Sequence, residues 1–430
     1  MKDSLTKEPN SKMILAVLFT AWIVSYIDRT VISLALSQMG KDMSLDASLL
    51  GIVLSSFFLG YALMQIPGGW LADKFGSRKV IVIAVLFWSL FTGLSGFAWS
   101  LTSLLLIRFL FGIGEGAYPA ASTKAISDYF SKEKRTKAQS TMMSSNALGG
   151  AIAPILCAPL LLWLGWRHTF LAISLLGIVI VIWFLYATRK APVKQDTDAS
   201  ASTSAKTANK GAYKELLRNS TLWKVMLLFF FANIASWGLS SWMPTYLMEV
   251  RGINLKDVGL LTAIPAFLMA IGMLISGRII DKIGLSAKFF VTACLFLYGL
   301  FLFLITRSAG ITEVIIFMSL AMICGSFTLS FVFTLPHRLI SQKFVGTAFG
   351  MVNFGGQAAG ILSPTIMGIF INATGSYNNA FLFLTVSCLV AAVISLTLPG
   401  VRSTLNQTGA LATTQASTQA STQSPTLPIK

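Results

Sequence analysis

Four ionisable side chains stand where a chain rarely puts them. Asp28 and Arg29 interrupt an apolar run near 13–38, and Arg108 and Glu115 interrupt another near 102–124. Of the 16 acidic residues, Asp28 and Glu115 alone fall within such runs. A charge at the centre of a bilayer costs about 2.5–3.5 kcal/mol on insertion scales, so each needs a purpose or a partner. A guanidinium stays charged and offers a planar fork matched to a carboxylate. A carboxyl group in apolar surroundings can load and release a proton. Together the four are equipped to bind an anion and carry protons. The plainer alternative is a permanent ion-pair network that locks helices together, an expensive device in a low dielectric.

Helix geometry restricts the pairings. Adjacent Asp28 and Arg29 point about 100° apart and need different partners. Arg108 and Glu115 share a face but lie about 10.5 Å apart along the axis, too far for a direct bond. Arg29 with Glu115 is therefore the expected pair.

The elements that must hold these groups are long and apolar. The 430 residues are 55% hydrophobic and only 11% charged, with mean hydropathy +0.73. Soluble proteins carry about 25% charged residues, and outer-membrane barrels alternate polar with apolar residues. Both are excluded. Twelve apolar runs follow one another from about residue 13 to residue 398, each near the 20 or so residues that cross a bilayer. The first is too long for a cleaved signal peptide and is expected to stay. With the N-terminus inside, only Lys41, Arg167, Arg251, Lys256 and Arg307 fall in the outer loops, against most of the 33 Lys and Arg in the inner ones. The net charge of +17 is then topology plus an inner face suited to anionic lipid, and no nucleic acid is implied.

Catalysis is poorly supplied. Cys157, Cys294, Cys324 and Cys388 sit singly in apolar runs, and His168 and His337 are the only histidines. No metal or cofactor is expected, and no enzyme. Gly112-x-Gly114-x-Gly116 has no preceding strand and reads as close helix packing rather than nucleotide binding.

A weak internal repeat divides the chain. Asp73, near the end of one apolar run, recurs as Asp281, 208 positions on; Pro154 and Gly165 recur 210 on as Pro364 and Gly375; Phe170 recurs 211 on as Phe381. An all-α membrane protein is expected, with twelve transmembrane helices in two pseudo-symmetric six-helix bundles at 13–190 and 221–398. A cytoplasmic start (1–12), a Ser/Thr/Lys-rich cytoplasmic linker (191–220) and a low-complexity, disordered cytoplasmic tail (399–430) complete the division. The second bundle carries no charge at mid-membrane. It offers Asn233, Ser236, Trp237, Ser240, Ser241, Trp242, Asn353 and Gln357, which suggests that charge is handled in one half and hydroxyl groups in the other.

Six-plus-six runs with Gly69-x-x-x-Asp73-Lys74-Phe75-Gly76 after the second resemble the major facilitator superfamily. Tyr26-Ile27-Asp28-Arg29, Tyr61, and Arg108 with Glu115-Gly116-Ala117-Tyr118-Pro119 are similar to its anion:cation symporter branch, which includes bacterial sugar-acid importers. The resemblance implies a monomeric inner-membrane symporter coupled to protons, working by alternating access. It gives Asp28 and Glu115 the proton-coupling role and Arg29 and Arg108 the anion, and makes the loop of Asp73 and Arg78, with Asp281, a cytoplasmic gate. Tyr26, Tyr61, Asn353 and Gln357 would meet hydroxyl groups, and Trp237 or Trp242 would cover a carbon face. A hexonate- or hexuronate-like monoanion is expected. An exchanger of phosphate for an organophosphate is the rival, but exchange requires no proton carrier. A non-transporting membrane sensor is the rival from another class.

Overall fold

The structure, a computed structural model, describes residues 11–189, 218–283, 287–339 and 345–398. The first ten residues, most of the linker and the whole tail lie outside that set, as does the side chain of Asp281. The described chain is helical throughout. Its helices are α1 (Ser11–Met43), α2 (Ala47–Phe75), α3 (Ser77–Ser95), α4 (Leu101–Gly116), α5 (Tyr118–Tyr129) and α6 (Lys132–Thr188), followed by α7 (Ser220–Glu249), α8 (Leu255–Ile283), α9 (Ala287–Arg307), α10 (Ile311–Leu339), α11 (Val345–Thr374) and α12 (Tyr377–Leu396).

Local chemistry sets the boundaries. The Asp46 side chain accepts from Leu49 N at 2.9 Å and starts α2, Ser100 and Ser103 form a capping box at α4, and Asn219 caps α7. Glycine ends α2, where Gly76 takes φ 86° and its N–H returns to Ala72 O. The run near 102–124 is two helices in the structure, joined at Ala117 just ahead of Pro119. The runs near 139–163 and 168–188 are the two helical stretches of α6, joined across a kink at Gly165 (φ 67°). Its repeat mate Gly375 also takes positive φ, 63°. Both positions demand the left-handed backbone that glycine adopts without cost.

Among the described residues, eleven helical elements are long and apolar enough to cross a membrane. Their outer faces are apolar: Ile66, Ile83, Trp163 and Leu274 are among the most exposed side chains. In water such a surface would aggregate; in lipid it is solvated.

Packing pairs repeat down the chain. α1 lies on α6, α2 on α4 and α3 on α6; further on, α7 lies on α11, α8 on α10 and α9 on α12. Two further seams, α2 with α11 and α6 with α8, join the early helices to the late ones. The α2–α4 approach explains the Gly-x-Gly-x-Gly motif. A Cβ at Gly112 would strike Phe57 O and one at Gly60 would strike Phe109 O, so the backbones touch. That contact fixes the height and rotation of α4, and with it Arg108 and Glu115.

Candidate functional site

A cavity of about 1330 Å³ runs between the early and late helices. It is lined by Tyr26 and Arg29 from α1, Tyr61 from α2, Arg108 from α4, Trp237 from α7, and Asn353 and Gln357 from α11. The lining continues past Asp73 and Ser127, towards the end of the molecule that carries Gly76. The opposite end is shut by close contacts. Thr365 Oγ1 donates to Ser55 Oγ at 2.7 Å across α2 and α11, and the two backbones meet at Gly51 and Pro364.

The charged cluster sits in the wall near mid-height. Arg29 Nε donates to Glu115 Oε1 at 2.7 Å and Ser25 Oγ donates to the same oxygen at 2.5 Å. Arg29 Nη2 approaches it at 2.5 Å as an ionic contact rather than an aligned hydrogen bond. All the protein donors therefore converge on Oε1, and Glu115 Oε2 is buried without a partner. That free oxygen is where a proton can be added without first breaking a bond. The expected Arg29–Glu115 pair is present, while no direct Arg108–Glu115 bond forms.

Aromatic rings surround Arg29, whose guanidinium lies 4.6 Å from the Tyr61 ring centre, 5.0 Å from Phe57 and 5.5 Å from Tyr26. Cation–π attraction holds the group at the wall while leaving its charge intact. Arg108 lies 4.3 Å from the Phe111 ring, with Nε and Nη1 buried and free of hydrogen bonds. Asp28 is 2% exposed, within electrostatic range of Arg108 and Glu115 and beside Thr92. Neither Asp28 nor Glu115 lines the cavity, whereas both arginines do. The two arginines thus face the cavity and the two carboxylates stand behind them.

The late helices supply the polar partners only in part as expected. Trp237 lines the cavity against Phe58 at 4.7 Å, its Nε1 donating to Gly356 O at 3.2 Å. Trp242 does not. Its ring is 1% exposed and its Nε1 donates to Pro364 O at 3.0 Å, so it buttresses the shut end rather than covering a solute. The reason is rotational: Trp237 and Trp242 are five positions apart on α7 and face different sides. Asn353 Nδ2 donates to Gln65 Oε1 at 3.2 Å. Gln65 was not singled out from the sequence, although it sits one turn after Tyr61 on the same face.

At the open end Asp73 and Arg78 are exposed, and neither forms an ion pair among the described residues; Asp281 lies outside the described side chains. Buried Asp128, on α5, is the engaged acid there. It accepts from Ser77 Oγ at 2.5 Å and pairs with Lys124 Nζ at 2.7 Å. Its i, i+4 spacing from Lys124 was the available signal.

A membrane-embedded helical bundle with a charged central cavity and no catalytic constellation among its described residues is the build of a solute transporter. The chain belongs to the Major Facilitator Superfamily, whose profile matches residues 18–364 and 257–420. It is 33% identical over 400 residues to a probable sulfoacetate transporter of Cupriavidus necator, covering 89% of this chain and 93% of the relative. It is 30% identical over 427 residues to a probable galactarate/D-glucarate transporter of Escherichia coli, covering 90% and 94%. A D-xylose-proton symporter structure superposes with TM-score 0.75 at 15% identity, covering 91% of this chain and 99% of that one, which speaks for the fold alone.

Proposed function

We propose that this chain is a proton-coupled symporter that imports a small hydroxylated organic anion, a sugar acid of the hexonate or hexuronate type, across a bacterial inner membrane. The observation that carries this reading is the layering of the four charges, arginines on the cavity wall and carboxylates behind them. Ionised Glu115 holds Arg29 through Oε1. A proton on Oε2 removes the charge that holds it, and the guanidinium fork becomes available to a substrate carboxylate. Asp28, within electrostatic range of Arg108 but not directly bonded to it, adds a second carboxylate whose protonation changes the charge beside that guanidinium. Proton and anion then load together, and loss of the proton on the inner side re-forms the pair and expels the anion. Similar Escherichia coli and Bacillus subtilis proteins, named as a probable L-galactonate transporter and a hexuronate transporter, support the substrate class.

The chain crosses the membrane twelve times in this reading, because α6 turns at Gly165 and spans twice. The two six-helix bundles are 13–190 and 221–398, a reading supported by the repeated packing pairs and the paired glycines. The N-terminus, linker and tail are cytoplasmic, the protein works as a monomer, and the cavity opens inward. Asp73, Arg78 and Asp281 act at the gate.

A second reading, a short sulfonated dianion, is favoured by the Cupriavidus necator relative. Uptake of hexonates, hexuronates, sulfoacetate, benzoates and sugar phosphates into proteoliposomes separates the two. The sugar-acid reading expects hexonates or hexuronates to lead; a lead by sulfoacetate or a sugar phosphate overturns it.

A further inference from the structure

We infer that Gln65 is a specificity-determining residue, which with Asn353 forms an amide clamp across the two halves and reads substrate hydroxyl groups remote from the carboxylate. The inference rests on the sugar-acid reading above and assigns a residue to part of it.

The clamp belongs to the α2–α11 seam. Gly51 meets Pro364, Phe58 meets Gly360 and Gln65 meets Asn353, an antiparallel register that holds from the shut end towards the open one. On this register Tyr61 falls opposite Gln357. The cavity lining therefore carries Gln65 and Asn353 hydrogen-bonded to each other and, one helical turn away, Tyr61 and Gln357 level with each other on the two helices.

Hydrogen-bond accounting gives the pairs a ligand. Asn353 Nδ2 donates to Gln65 Oε1 at 3.2 Å. This leaves the Gln65 amide N–H groups and the Asn353 carbonyl oxygen facing the cavity. Turning both amides over exchanges their roles and leaves the same complement of donor and acceptor. Gln357 Oε1 is buried with no partner in the protein. An unpaired buried acceptor is costly, so the site favours an occupant that brings O–H donors. A hydroxyl group both donates and accepts, and neighbouring hydroxyls on a carbon chain match an alternating wall.

Distance sets which hydroxyls are read. The Arg29 guanidinium lies 4.6 Å from the Tyr61 ring, and Gln65 is a further four residues along α2, about 6 Å. A hexonate with its carboxylate at Arg29 and Arg108 is long enough to reach the clamp. Sulfoacetate is too short and carries no hydroxyl. Because the clamp joins α2 to α11, its occupation also ties the two halves to one solute.

The test is Gln65→Met, which keeps volume and removes the amide, assayed with a hexonate and with analogues each lacking one hydroxyl. In the parent, removal of a remote hydroxyl should cost the most uptake. In Gln65→Met that remote-hydroxyl preference should fall about tenfold, while preference for hydroxyls beside the carboxylate persists. Asn353→Leu should produce the same pattern, and the double variant should add nothing further. A parent that prefers the full hexonate, with variants that retain the remote preference or lose every preference equally, overturns the clamp and leaves the substrate reading standing. A parent indifferent to all hydroxyls overturns both.

Discussion

Glu115 is bonded through one oxygen and free at the other, and that asymmetry makes its role testable. Glu115→Gln imitates the protonated acid. Exchange of substrate down its gradient should survive while proton-driven accumulation disappears, as measured by counterflow and by uptake under an imposed pH gradient. A variant that still accumulates substrate would show that Glu115 carries no proton. Arg108 tests the anion side. Its Nε and Nη1 are free for a ligand, and lysine keeps the charge but loses the fork. Arg108→Lys should weaken substrate binding about 10- to 100-fold, the worth of one charge-assisted hydrogen bond; near-parental affinity would contradict bidentate recognition. These residues were legible in the sequence because a charge in an apolar run is too costly to be casual. Gln65 was not, because an amide in such a run reads as helix packing until its partner on another helix is seen. Trp242 misled for a related reason, since its type suits a sugar face but its rotation on α7 turns it into the shut end.

Among the helices, α4 is the element whose placement decides the site. It carries Arg108 and Glu115 and meets α2 where Gly60 and Gly112 leave no room for side chains. Gly112→Val should force the pair apart and cost about 1–3 kcal/mol or more, read as a lower melting temperature in detergent. It should also weaken the Arg29–Glu115 contact and so impair coupling. Unchanged stability and coupling would mean that the close approach is incidental. That the chain is a series of long apolar helices was readable from hydropathy. The break at Ala117 was not, because a backbone turn shorter than a loop leaves no polar interval in the sequence.

Across the whole molecule, the cavity is shut at the Ser55–Thr365 end and lined out to Asp73 at the other. Alternating access requires the shut end to part. Ser55→Cys with Thr365→Cys, cross-linked, should stop transport and recover on reduction; transport that continues when cross-linked would rule out opening at that seam. The proposed division into two halves rests in the sequence on matched anchors about 210 positions apart. The cross-half register that brings Gln65 to Asn353 was not visible there, since it depends on how the halves lean together rather than on either half alone. The central claim is that anion and proton move together because the arginines and carboxylates share one charge network. Proteoliposomes holding a pH-sensitive dye and given an outward-to-inward hexonate gradient should acidify inside, in proportion to uptake and with no imposed pH gradient. Hexonate uptake with no accompanying acidification would contradict the account.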